Sequence, residues 1–278
     1  MYRARRRAAE ISRHAILIVI LGLSFFGVYW MVETSFKYDA MLTVNYWWPD
    51  VAHVNLANYA DAFQAVYRYI LNSVFVSATI LIGVLALGTT TAYVFARFSF
   101  PGKEVLFYFI ISLIMIPGIL TFLPTFLVVK SMHLLNTYGA LILPGIAGGQ
   151  VFAIFILRTY FASLPQELID AARVDGASEF VVVSRVVVPL SVPILATVGI
   201  LNLLATWNDY IWPLVTLRDT SLYTIPIGIA YLAASANGVV SYTEQMAAYV
   251  IVSLPLVILF FFLMRLFVQG LSSGAIKV

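Results

Sequence analysis

Six stretches without a single charged residue restrict this chain to folds that meet lipid. They run over 15–32, 69–96, 105–129, 134–157, 186–208 and 245–264, about half of the 278 residues. A helix needs about 20 mostly apolar residues to cross a bilayer, so each stretch is read as a span. Composition agrees. Hydrophobic residues make up 62% and charged residues 10%, against about 45–50% and about 25% in soluble domains. A globule of this size cannot hide that much apolar surface from water. A seventh uncharged stretch, 220–243, has a continuous apolar centre only from Ile225 to Ala234, broken by Pro226 and Gly228. Ten residues fit a re-entrant or interfacial segment, not a span.

The basic residues give the orientation. With the N-terminus inside, twelve of the 16 Lys/Arg fall on the inner side, and Lys37, Arg68, Lys130 and Arg218 fall outside. That is the asymmetry of the positive-inside rule. Both termini are therefore expected in the cytoplasm: a tail over 1–14, a spanning region over 15–268 and a second tail over 269–278. Arg3, Arg5, Arg6, Arg7 and Arg13 resemble the basic start of a signal peptide. The apolar run that follows is too long for one, and no small-residue cleavage site comes after Trp30, so it reads as an uncleaved anchor. The outer loop 33–68 carries Trp47-Trp48-Pro49, an interfacial belt. Asp209, between Trp207 and Trp212, is expected at the outer headgroup level in water.

Catalytic chemistry has nothing to stand on. There is no G-x-x-x-x-G-K-[ST] phosphate loop, no H-E-x-x-H and no G-x-S-x-G, and the three histidines are not at metal spacing. Cysteine is absent, which removes thiol nucleophiles and Cys-ligated zinc. The spans hold no ionisable residue for a proton relay. No catalytic or metal-ligating residues are assigned, and any energy source must be another subunit.

The one sizeable inner connection is the loop 163–189. Ser163 and Gln166 have capping-box spacing, with Pro165 in the first turn. Leu164, Leu168, Ala171, Ala172 and Asp175 recur on one face of a short helix. Gly176 supplies a φ > 0 stop and Ser178 a cap for the next helix. A connecting helix packed on its own bundle and a docking element for a soluble partner fit this pattern equally well.

Asp170-Ala171-Ala172, three residues, Gly176, nine residues, then Val186-x-Val188-Pro189 resembles the EAA loop of ABC importer permeases. Asp170 stands for the usual Glu, and valines for Ile and Leu. Further matching segments are Asn72-Ser73, Ala92 to Gly102, Asn136-Thr-Tyr-Gly-Ala, Trp207 to Pro213 and the tail Gln269 to Lys277. The likeness covers nearly the whole chain and is nearest the maltose-type carbohydrate permeases. It implies an all-α integral membrane fold of six transmembrane helices, the type I ABC importer permease (MetI-like) bundle, in a bacterial or archaeal plasma membrane. It also implies a second permease subunit, as a heterodimer, two ATPase subunits holding ATP and Mg, and an extracytoplasmic solute-binding protein. No cofactor is expected on this chain itself.

Residue by residue, the likeness gives an ATPase-coupling set of Glu167, Asp170, Ala171, Ala172, Asp175, Gly176, Ala177 and Pro189. Ser273, Gly274 and Lys277 form an ATPase-contacting tail, and Ser235, Ala236, Asn237 and Gly238 a loop towards the binding protein. From the residues themselves, Gly145-Ile-Ala-Gly-Gly149 is a small-residue packing surface. Thr121, Gln150 and Asn202 are candidates to line a polar pathway, and hydrogen bonding between helices explains each of them as well. The competing reading is a self-sufficient secondary transporter or channel, which internal repeats would favour. None is seen.

Overall fold

The computed structural model describes residues 2–49, 53–234 and 241–275, with side chains at 10, 12–49, 53–234, 241–262 and 264. Among these residues there are helices and turns and no strand. The chain forms two compact units, 1–67 with 229–255, and 68–228 with 256–278.

The first unit contains α1 (Tyr2–Ser35) and the first turns of α2 (Ala57–Arg97). None of the 18 residues in the most apolar window of α1 is buried. Past its end the chain turns on a buried ion pair: Lys37 Nζ lies 2.5 Å from Glu33, one helical turn back. The same ammonium donates to the carbonyls of Asn45 and Tyr46 at 2.7 and 3.2 Å. Only 2% of Lys37 is exposed, and these three acceptors offset the loss of its hydration. Asp39 accepts from both the amide and the hydroxyl of Thr243. This satisfies a donor at the start of α12 (Tyr242–Ala275), where helix amides lack partners.

The second unit runs on through α3 (Lys103–Ser112), α4 (Gly118–Ser131), α5 (Gly139–Ala162), α6 (Gln166–Val174) and α7 (Glu179–Val182). After a π-helical turn, Val183–Val187, come α8 (Val188–Leu190), α9 (Val192–Trp207), α10 (Ile211–Thr216) and the start of α11 (Ile225–Ala234). Its core joins Val76, Ile80 and Val84 of α2 to Leu141, Ala153 and Leu157 of α5 and to Ile194 and Val198 of α9. Glycines let α2 and α5 approach closely. A Cβ at Gly145 would meet Ile80 at 2.6 Å, and one at Gly149 would meet Val84 at 2.5 Å. The small-residue surface is therefore a packing surface, as expected.

Among the described residues, four helices are long and apolar enough to cross a membrane, and two further pairs are sharply bent. The total is six if each pair counts as one span. The stretch expected as one span over 105–129 is covered by α3 and α4, which are bent by 103° at a short break. Pro117 disfavours the helical conformation at the residue before it, and Ile116 is extended at φ −80°, ψ 116°. The stretch expected as a span over 186–208 likewise falls on a bent pair, α7–α8 and α9, at 82°. Pro193 cannot donate to the carbonyl of residue 189, and the turn at Ser191 takes up the bend. The span expected over 134–157 starts five residues later, because His133 and Asn136 take left-handed conformations between α4 and α5. α11 has the bounds of the ten-residue apolar centre, too short to span.

Candidate functional site

The loop 163–189 folds as α6, a tight turn and α7. Gly176 sits at φ +82° in that turn, and its amide closes on the carbonyl of Arg173 at 3.0 Å. The expected capping box does not form. Ser163 Oγ instead donates back to the carbonyl of Tyr160, and α6 has Pro165 in its N-cap position with no side-chain cap. Ser178 does occupy the N-cap position of α7, also without a side-chain cap bond.

Residues outside the expected set hold α6 in place. Arg97, in the last turn of α2, donates to the carbonyls of Phe161 and Leu164, both at 2.6 Å. Phe161 lies in the last turn of α5 and Leu164 just past its end, where helix acceptors lack partners. Arg97 also donates to Gln166 Oε1 at 2.8 Å, and Gln166 donates to Asp170 at 2.9 Å. Glu179 of α7 accepts from Tyr93 at 2.7 Å and from Arg173 at 2.8 Å. The hydrogen bond that Arg173 donates to Glu179 raises the pKa of its guanidinium above the ordinary value. One strap of polar contacts thus ties α2, the end of α5, α6 and α7 together. Arg97 belonged to a matching sequence segment, but nothing in its spacing named these acceptors.

The strap decides which face of α6 is free. Ile169 is 1% exposed in the core, and Ala172 and Ala177 pack against that core. Glu167, Leu168, Ala171, Val174 and Asp175 lie outward, with Val174 87% exposed and Phe180 of α7 78% exposed. Asp170 is exposed and held by Gln166 and Arg173. Pro189 is exposed in α8. The structure therefore turns Ala172 and Ala177 inward, where the sequence pattern placed Ala172 on one face with Ala171 and Asp175.

A second concave region lies between α4, α5, α9 and α10. Val76, Thr121, Phe122, Thr125, Gly145, Thr206, Asp209 and Trp212 line a cleft of about 240 Å³. A neighbouring cleft of about 550 Å³ shares Pro144, Gly145, Thr206 and Asp209 with it and reaches Asn202. Of the pathway candidates, Thr121 and Asn202 line these clefts. Gln150 lines neither, and its amide donates to Ile146 on its own helix at 3.3 Å. Asp209 is half-buried in the cleft, not bathed in water as its tryptophan neighbours suggested. Burial moves its carboxyl up from the ordinary value. Trp212 is fixed by an indole bond to the carbonyl of Ala140 at 2.8 Å and stands edge-on to Phe122.

Ser273 and Gly274 fall in the backbone of α12. Lys277 and the segment Ser235, Ala236, Asn237 and Gly238 lie outside the described residues.

Residues 84–273 match the family of binding-protein-dependent transport system inner membrane components. The chain is 38% identical over 206 residues to the arabinooligosaccharides transport system permease protein AraQ of Halalkalibacterium halodurans, covering 74% of this chain and 72% of that one. It is 33% identical to the diacetylchitobiose uptake system permease protein NgcG of Streptomyces coelicolor, covering 98% and 90%. It is 29% identical to the sn-glycerol-3-phosphate transport system permease protein UgpE of Yersinia pestis, covering 97% and 98%. Among solved structures, a chain of a bacterial ABC transporter involved in the import of the acidic polysaccharide alginate superimposes with a TM-score of 0.83. It shares 20% identity, with 94% of this chain and 97% of that one covered. The fold is thus shared with that chain.

Proposed function

This chain belongs to the family of binding-protein-dependent transport system inner membrane components, and from that premise we propose how it works. It is a multi-pass permease subunit of an ABC importer and forms half of the pathway for a sugar-like solute. A second permease, as a heterodimer, forms the other half. Two ATPase subunits carry the ATP and Mg, and an extracytoplasmic binding protein delivers the solute. The membrane is the plasma membrane of a bacterium or archaeon, with both termini on the cytoplasmic side. The relatives' names favour a glycan but leave its charge open, since arabinooligosaccharides and diacetylchitobiose are neutral and glycerol 3-phosphate is an anion.

The observation that carries this reading is the outward face of α6. Leu168, Ala171 and Val174 expose an apolar strip flanked by Glu167 and Asp175, on a helix whose other face is anchored in the core. An exposed apolar strip with a charged rim is the composition of a docking surface. ATPase closure pulls on α6, and the strap through Arg97 and Glu179 passes the movement to α2 and α5.

Photo-crosslinking tests this. The native chain has no cysteine, so a benzophenone placed on a cysteine at Val174 has one attachment point. It should capture the ATPase subunit in the assembled importer, whereas the same probe at the exposed Tyr108 of α3 should not. Capture of the ATPase from Tyr108 alone would refute the docking assignment.

A further inference from the structure

We propose that the cleft between α4, α5, α9 and α10 is a solute subsite selective for neutral polyhydroxylated compounds over anions. The proposal rests on the importer reading and decides the charge class that reading leaves open.

The cleft offers acceptors where a solute would touch it. Thr121 Oγ1 donates its proton to the carbonyl of Gly118 at 2.9 Å, and Thr125 Oγ1 to that of Thr121 at 2.7 Å. Thr206 shares its proton between the carbonyls of Asn202 and Leu203, both at 3.1 Å. Each hydroxyl therefore faces a ligand with lone pairs only. One carboxyl oxygen of Asp209 accepts from the Trp212 amide at 3.3 Å, and the other has no partner among the described residues. Asn202 Oδ1 is also buried without a partner. Neither cleft is lined by Lys, Arg or His.

A ligand entering such a surface must bring hydrogen-bond donors, spread over several positions. The hydroxyls of a glycan do so. A phosphate or carboxylate brings more acceptors and a charge with no counter-ion, and would leave both sides unpaired. An ammonium brings donors too, but it cannot accept. Thr224 Oγ1, buried in the cleft lining with no partner, needs an acceptor for its own proton. A sugar hydroxyl both gives and takes, so it meets the threonines, Asp209 and Thr224 together. Phe122 and the fixed Trp212 add aromatic surface to the lining, against which the C–H groups of a pyranose ring can pack.

The assembled importer in lipid nanodiscs, without its binding protein, permits a direct test by saturation-transfer NMR. Three probes are compared: cellobiose, cellobiouronic acid with its carboxylate, and the diamine disaccharide of glucosamine. Cellobiose should bind in the millimolar range and the uronic acid about tenfold more weakly, a difference of about 1.4 kcal/mol. Asp209→Asn, which keeps an acceptor for the Trp212 amide, should bring the two within about twofold. Thr206→Val should weaken cellobiose without narrowing the gap. Equal affinities in the wild type, a gap that survives Asp209→Asn, tighter binding of the diamine, or no cellobiose signal at tens of millimolar would each overturn the proposal. The importer reading is tested apart from this, by a ligand screen on the binding protein. A glycan-loading binding protein beside a cleft that does not discriminate would refute the subsite and spare the importer.

Discussion

Arg97 donates to the main-chain carbonyl of Leu164 at 2.6 Å, so the last turn of α2 holds the backbone from which α6 departs. The bond joins residues 67 positions apart and carries a formal charge at one end, which makes it stronger than a neutral pair. It also makes the position of α6 a property of α2.

Arg97→Met keeps the length of the side chain and removes every donor. The carbonyl of Leu164 then needs a new partner, and that of Phe161 keeps only the Leu164 amide at 3.3 Å, at a cost of about 1–3 kcal/mol. We expect a lower melting temperature of the purified subunit and loss of solute-stimulated ATP hydrolysis in the assembled importer. Arg97→Lys, with one donor group in place of a fork, should recover stability in part.

At Gly176 the strain and the space can be separated. A Cβ there would meet no atom within 4 Å, so only the positive φ of 82° resists substitution. Gly176→Val should cost about 1–2 kcal/mol and uncouple uptake from ATP hydrolysis, because β-branched residues avoid left-handed backbone. Gly176→Asn should lose less than half of that. Uptake per ATP hydrolysed, compared in the two variants, checks the order.

Neighbouring glycines of α5 should behave in opposite ways. Gly149→Ala drives a methyl into Val84 and Asn202 Nδ2, at 2.5 and 2.8 Å, and should cost about 1–3 kcal/mol. Gly148→Ala meets nothing within 4 Å and should be neutral or slightly stabilising, as expected for alanine over glycine in a helix. Adding Val84→Ala should recover part of the Gly149→Ala loss in thermal melts.

Lys37→Met leaves the Glu33 carboxylate buried without its cation, and breaking such a pair costs about 3–5 kcal/mol. The double variant Glu33→Gln/Lys37→Met should be more stable than Lys37→Met alone. Unfolding midpoints of the four members of this cycle measure the coupling.

Much of this organisation was legible in the chain, and the failures have physical causes. The glycine stop of α6 and the ten-residue α11 follow from local rules that short segments obey, whereas the start of α6 does not follow the capping-box rule. The bends at Ile116–Pro117 and Ser191 did not follow, because an uncharged run reports solvent preference and carries no direction. Proline alone was no guide: Pro124, Pro144 and Pro255 lie inside helices. The inward turn of Ala172 was missed because Ile169, which the face assignment left out, is the residue that anchors the helix. The Arg97 strap and the Asp209 cleft depend on distant segments meeting, and periodicity holds no record of such meetings.

α1 has a further consequence for the whole chain. None of the residues in its 18-residue apolar window is buried within this chain, so most of that length is left for lipid or another subunit to cover. At about 1.5 Å per residue, the window is about 27 Å long, slightly less than the hydrocarbon thickness of a typical bilayer. Lipids with longer acyl chains would create a mismatch there, at a cost of a fraction of a kcal/mol for each ångström. The bilayer can relieve that mismatch by thinning around α1, while the corner at Glu33 and Lys37 fixes that end of the helix. Acyl-chain length thereby becomes a variable that acts on this chain through a single helix.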